Sequence, residues 1–233
     1  MSLEHSLASV RQRIEQAAKS AGRDPRSVTL LAVSKTFPAH DVAHAASLGQ
    51  IDFGENYVQE AMDKIAALRP DWPALQWHFI GPLQSNKTRD VAAHFDWVHS
   101  IDRLKLAQRL NDQRPADRPP LQVCIQVNVD DEATKSGVRV EDAGALAAAV
   151  AALPRLRLRG LMCIPEARTG TSAQREPFAR LRLLRDAMAA EHGLALDTLS
   201  MGMSADLEAA ILEGATLVRV GSAIFGARSP RSP

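Results

Sequence analysis

The stretch Val28-Thr29-Leu30-Leu31-Ala32-Val33-Ser34-Lys35-Thr36, VTLLAVSKT, is an apolar, β-favouring run that ends in a lysine. A continuous apolar run of this length reads as a strand of a parallel sheet, buried on both faces by covering helices. An amine at the tip of such a strand then needs a reason.

Outward from that strand the chain repeats one pattern. Upstream, Leu3, Leu7, Val10, Ile14, Ala17 and Ala21 recur at spacings of three and four, which predicts a helix over 2–21 closed by Gly22. Downstream, apolar runs lie around 51–53 and at 77–81, 97–101, 121–129, 156–164, 198–202 and 217–221. A further segment of helical periodicity follows each of the first seven strands, at 39–48, 55–68, 86–94, 102–113, 140–152, 173–191 and 204–213. Strand and helix alternate, which predicts parallel βα units. Eight units in 233 residues predict an α/β fold, a single (β/α)8 TIM-type barrel preceded by the N-terminal helix. A doubly wound open sheet is the alternative, but no G-x-G-x-x-G follows the first strand. One domain over 1–228 is expected, with a disordered tail at 229–233.

Composition narrows the function classes. The chain is 45% hydrophobic and 24% charged, and 28 basic against 27 acidic side chains leave a formal charge of +1. No broad positive field exists to gather nucleic acid or an anionic membrane, so any anion site must be local. No segment approaches the ~18 apolar residues of a membrane span, and the N-terminus lacks a leader pattern, so a cytoplasmic protein is expected. Cys124 and Cys163 each sit inside a strand-like run rather than in a C-x-x-C pair, which predicts reduced core thiols and no metal site.

In a barrel of this kind the C-terminal strand tips and the loops after them build the active face. Lys35 is at the first tip. The seventh strand ends in SMGMSADLEAA, where Gly202 and Ser204 lead into the predicted helix at 204–213, whose N-terminus can hold an anion. The eighth ends in RVGSAIFG, where Gly221 allows close backbone approach and Ser222 offers a hydroxyl. Loops after strands seven and eight frequently form phosphate sites in such barrels. Taken alone, Ser204 reads equally as a helix N-cap and Gly221 as a turn glycine. Arg219, two residues before Gly221, places a guanidinium among strand apolars. It accepts no hydrogen bond, so its partner is either a structural carboxylate or a ring atom with a lone pair. An amine, a phosphate cradle and a ring-facing donor together suggest pyridoxal 5′-phosphate (PLP), with its aldehyde joined to Lys35 as a Schiff base.

The blocks AVSKTFP, DFGENYVQE, WHFIGPLQSNK, LSMGMSADLEAAI and VRVGSAIFG, spread over nearly the whole chain, resemble the signatures of the pyridoxal phosphate homeostasis protein family. The resemblance implies a barrel like the N-terminal domain of bacterial alanine racemase, the fold type III of PLP proteins. It implies covalent PLP on Lys35, the lysine of the V-S-K-T block, and a role in intracellular PLP homeostasis without an established catalytic reaction. By the same comparison Asn56 of G-E-N-Y, Ser204 of G-M-S-A-D, and Arg219, Gly221 and Ser222 of the last block are cofactor contacts. PLP-dependent apo-enzymes become candidate recipients.

An amino-acid racemase is the alternative reading. A guanidinium facing the pyridine nitrogen finds it unprotonated, which weakens the electron sink but leaves racemisation open. Racemisation also wants a base on the second face, which the related racemases take as a tyrosine from a further domain and a partner subunit. Tyr57, after strand two, is the only tyrosine here. No catalytic residue is therefore assigned, and without the racemase's second domain a monomer is expected. A sugar-phosphate isomerase on the same barrel would use the cradle but leave Lys35 idle. His40 and His44 stand i, i+4 in H-D-V-A-H rather than H-E-x-x-H and read as a surface pair. His78 reads either as a core histidine or as a neighbour of the cofactor, Lys87 brackets the third strand tip, and Lys135 is a candidate second amine at the barrel mouth.

Overall fold

A computed structural model of the chain describes residues 2–131 and 136–227; Lys135 and the expected tail at 229–233 lie outside the described residues. Helix α1 (Leu3–Ser20) opens the chain. The Ser2 hydroxyl accepts the His5 amide at its N-terminus, and its apolar stripe of Leu7, Val10, Ile14 and Ala17 is buried. There follow β1 (Thr29–Val33), α2 (Ala39–Ser47), β2 (Asp52–Glu55), α3 (Val58–Leu68), β3 (Gln76–Phe79), α4 (Thr88–His94), β4 (Trp97–Ile101), α5 (Leu104–Gln113) and β5 (Leu121–Asn128). The second half holds β6 (Val138–Arg139), α6 (Ala143–Ala151), β7 (Leu156–Met162), α7 (Thr171–His192), β8 (Thr198–Ser200), α8 (Leu207–Leu212), β9 (Leu217–Val220) and α9 (Ser222–Phe225).

The strands pair in the order β4-β3-β2-β1-β9-β8-β7-β5, and β4 also pairs with β5, so the eight close into a barrel with every ladder parallel. This is the (β/α)8 architecture expected from the alternation. The short β6 stands outside the barrel, pairing Val138 with Val127 and Arg139 with Asn128 at the tip of β5.

Strand alternation divides the core in two. Leu30, Ala32, Trp77, Phe79, Val98, Leu199, Val218 and Val220 face outward into one large apolar layer shared with the helices. Leu31, Val33, Ile80 and Leu217 face inward as a separate cluster inside the barrel. That interior also holds the buried polar side chains of His78, His99, Ser200 and Arg219. Because Leu31 and Val33 point inward, the next residue on that side is Lys35, so alternation itself aims the amine at the barrel mouth.

Candidate functional site

A cavity of about 320 Å³ opens at the C-terminal ends of the barrel strands, at the lower end of the range for small-molecule pockets. Its walls include Lys35, Asn56, Ser204, Arg219, Gly221 and Ser222, so the structure brings together the six residues expected to contact the cofactor. Val33, Phe37, Ile80, Ile164 and Met203 supply apolar wall. Lys35 and Arg219 are the ionisable groups among the described lining residues.

The Lys35 turn is held from both sides. Thr36 has φ 70°, the left-handed region that a β-branched residue rarely enters, and its amide donates to Glu60 Oε1 at 2.5 Å. On the other side Ser34 is buried and its hydroxyl donates to Glu55 Oε1 at 2.6 Å. Lys64, reaching up from α3, donates to the Ser34 carbonyl, Glu55 Oε1 and Glu60 Oε1, each at 2.7 Å. Burial pushes the Glu55 carboxyl up, against the pull of Lys64.

Asn56 follows β2 directly. Its Oδ1 is buried with no hydrogen-bond partner among the described residues, an acceptor left for something in the cavity. The neighbouring Gly81 of F-I-G-P makes room for it: a Cβ there would lie 2.5 Å from the Asn56 carbonyl oxygen.

At the opposite wall the Ser222 hydroxyl donates to Ser204 Oγ at 3.2 Å, and the Ala223 amide approaches the same oxygen at 3.4 Å. A Cβ on Gly221 would meet the Val33 carbonyl at 3.2 Å, so a larger side chain would push β9 away from β1. The expected helix at 204–213 is corrected: α8 begins at Leu207, because Asp206 Oδ1 accepts the Met203 amide at 2.6 Å and closes residues 203–206 into a turn. Ser204 is therefore a turn residue and not an N-cap. The turn is anchored from α1, where Arg13 donates to the Ser204 carbonyl at 3.0 Å and grips Glu208 at 2.6 and 2.9 Å.

Arg219 forms the floor. It is buried, donating from Nη1 to Ser200 Oγ and from Nη2 to the Cys163 carbonyl, both at 2.8 Å. No carboxylate among the described residues pairs with it, so the structural-carboxylate reading is set aside. Burial lowers its pKa, against the opposing pull of the more distant Asp206 carboxylate, which makes no hydrogen bond to it among the described residues.

The remaining candidates lie elsewhere. His78 is a barrel-interior residue bonded to side chains, off the cavity wall. Lys87, half-buried at the start of α4, and the exposed Tyr57 also lie off it. His40 and His44 are exposed on α2 beside Asp41 and Glu4. Cys124 and Cys163 are buried thiols whose pKa values are pushed up by burial to about 12. Sequence reasoning passed over Arg13, Glu60, Lys64, His99 and Ser200. For the last two a signal existed, a polar residue at an inward position of an apolar strand.

Residues 5–229 match the family described as alanine racemase, N-terminal domain. A pyridoxal phosphate homeostasis protein of Pseudomonas aeruginosa is 62% identical over 229 residues, covering 98% of this chain and 96% of its own. The protein of the same name in Escherichia coli K12 is 55% identical over 230 residues, with 96% of each chain covered. Among solved structures, PipY of Synechococcus elongatus with PLP bound superposes with a TM-score of 0.84 at 37% identity, over 97% of this chain and 100% of that one.

Proposed function

The chain belongs to the family of pyridoxal phosphate homeostasis proteins, and from that premise we propose that it holds PLP in the barrel mouth and releases it to apo-enzymes rather than turning over amino acids. PLP supplies an aldehyde that condenses with an amine, losing one water, and a phosphate and a pyridine nitrogen that a protein can grip. The cavity offers a matching group for each. Lys35 is the amine on the inward side of β1. Ser204, Ser222 and the backbone at Gly221 form the phosphate wall, and the orphaned Asn56 oxygen is a further polar contact.

Arg219 is the observation that carries the reading. A buried guanidinium with no carboxylate hydrogen-bonded to it among the described residues is costly unless something else in the cavity accepts its hydrogen bonds. An unprotonated pyridine nitrogen is such an acceptor, and a guanidinium does not surrender a proton to it. The ring then remains a poor electron sink, which favours holding the cofactor over transforming substrates on it. The described lining also contains no tyrosine, histidine or carboxylate to act as the second base of a racemase, so no observation favours that alternative.

The same reading places the protein in the cytoplasm, consistent with two buried cysteines kept as thiols. Mixing the purified protein with PLP, recording the near-visible spectrum, reducing with borohydride and mapping the pyridoxyl mass tests it. The expected adduct is stoichiometric on Lys35. A colourless protein, or an adduct confined to Lys87 or Lys135, would overturn the reading of the site.

A further inference from the structure

The interior of a (β/α)8 barrel is ordinarily filled by layers of branched apolar side chains. Here a file of buried polar groups stands among the apolar ones. His78 Nε2 lies 3.1 Å from Asp52 Oδ1, and His78 Nδ1 lies 3.0 Å from His99 Nε2. His99 Nδ1 is 2.8 Å from Ser200 Oγ, which accepts from Arg219 Nη1 at 2.8 Å. We propose that Asp52, His78, His99 and Ser200 form one polarised hydrogen-bond chain through the barrel, which positions Arg219 and couples the cavity floor to the opposite mouth.

The direction of the chain follows from both ends. The Asp52 carboxylate oxygen is placed to accept, so in the proposed chain His78 Nε2 carries the hydrogen. In the proposed chain His78 carries one ring hydrogen, on Nε2 toward Asp52, so His78 Nδ1 is an acceptor and His99 Nε2 donates to it. His99 is fully enclosed, and desolvation, with the Arg219 charge nearby, holds its pKa well below 6.5, so this ring is neutral. His99 Nδ1 is therefore an acceptor, and the single hydroxyl proton of Ser200 points at it. The Ser200 lone pairs are left facing Arg219, which can only donate. Every imidazole nitrogen is satisfied in this arrangement, and reversing any one link would set two donors or two acceptors against each other. Each buried polar group so stranded costs about 1–3 kcal/mol, so the links stand or fall together.

The far end is accessible. Asp52 and His78 line a second cavity of about 440 Å³ at the N-terminal ends of the strands, together with Trp97, Arg159 and Asp197. His78 stacks on Trp97 with ring centroids 5.3 Å apart, the Arg159 guanidinium lies 5.0 Å from the Trp97 ring centroid, and Asp197 pairs with Arg159 at 2.8 Å. Asp52 is thus a positioning residue for Arg219, acting through three intervening side chains from the opposite end of the barrel.

The part of this inference that concerns PLP rests on the proposed function; the orientation of the chain does not. Long-range 1H–15N spectra of the full chain, without and with saturating PLP, test the two separately. At neutral pH both rings should be neutral Nε2–H tautomers before PLP is added. Asp52→Ala should shift the ring nitrogens of His99 as well as those of His78. PLP should shift both rings while leaving exposed His40 and His44 unmoved. An Nδ1–H tautomer at His99, a protonated His78 or His99 ring, or a His99 unaffected by Asp52→Ala would overturn the chain. Absence of any pyridoxyl adduct would instead strike the proposed function, with the tautomers and the Asp52→Ala response still deciding the chain. With PLP bound, an unchanged His78 would overturn the coupling.

Discussion

Lys64 Nζ lies 2.7 Å from the carbonyl oxygen of Ser34, the residue immediately before Lys35. One buried lysine thus fixes the peptide from which another projects into the cavity. Its remaining two contacts, to Glu55 and Glu60, complete the three hydrogen bonds an ammonium can donate, and Glu60 in turn holds the Thr36 amide on the other side of Lys35. The left-handed Thr36 persists because its neighbours over-determine it.

Removing that ammonium should be expensive. Lys64→Met leaves Glu55, whose side chain is fully buried, without its counter-charge and should cost about 3–5 kcal/mol in chemical denaturation. Lys64→Met with Glu55→Gln should recover much of this stability. It should still bind PLP more weakly than the wild type, because the Ser34 carbonyl has lost its anchor. A single variant as stable as the wild type would show that the network does not hold the turn.

Lys35→Arg keeps a positive charge at the tip of β1 but offers no amine for a stable Schiff base. Borohydride reduction should leave it free of pyridoxyl mass while its thermal midpoint stays within a few degrees of the wild type. A stoichiometric adduct on this variant would move the covalent site to another lysine.

The phosphate wall predicts a ranking of ligands. Pyridoxal without its phosphate should bind far more weakly than PLP, since charge-assisted hydrogen bonds are worth about 1.5–3 kcal/mol each. Gly221→Val should weaken PLP binding by crowding the Val33 carbonyl. Arg13→Met removes the hold on the Ser204 carbonyl, and because its ion pair with Glu208 is partly exposed it should lower stability by no more than about 1 kcal/mol. Its PLP dissociation constant should nevertheless rise. Equal affinities for pyridoxal and PLP would remove the wall from the site.

How much of this was legible in the sequence depended on the range of each interaction. Buried parallel strands are continuous apolar runs, so Val28–Val33 and its counterparts were visible, and alternation carried Lys35 and Arg219 to the correct side. The two-residue β6 is too short to leave a periodic signal. The Ser204 turn was mistaken for the start of a helix because Asp206 competes for the Met203 amide, a choice that helical composition does not reveal. Glu60 and Lys64, at i and i+4, look like any solvated helix pair; only the packing of α3 under the tip of β1 buries Lys64 and leaves Glu60 half-buried. Asn56 was marked by the family resemblance alone, its orphaned oxygen being a property of the fold.

Acid should destabilise the protein partly through His99. Its folded pKa is depressed, so below about 6.5 the unfolded chain binds a proton that the folded chain refuses. Stability from this group is complete above that pH and is lost as pH falls, with a slope approaching about 1.4 kcal/mol per unit. Glu55 works in the opposite sense, because its raised pKa makes the folded chain retain a proton longer as pH rises. Comparing the wild type with His99→Gln between pH 5 and 7 cancels the Glu55 contribution. The wild type should gain stability with pH more steeply, and parallel curves would show that His99 takes up its proton equally in the folded and unfolded chain.

Loaded protein should bind amino acids without converting them. In the proposed site Arg219 would face a pyridine nitrogen that it cannot protonate, and the ionisable groups of the described cavity wall are Lys35 and Arg219. A small amine that displaces Lys35 would change the near-visible spectrum, yet no described residue on the wall is suited to take a proton from its α-carbon on one face and return one on the other. Incubation with L-alanine and other L-amino acids, followed by absorbance and by chiral analysis of the products, separates binding from turnover. A spectral change with neither D-enantiomer nor keto acid is the expected result. Sustained product formation that Lys35→Ala abolishes would make the protein an enzyme and restore the racemase reading.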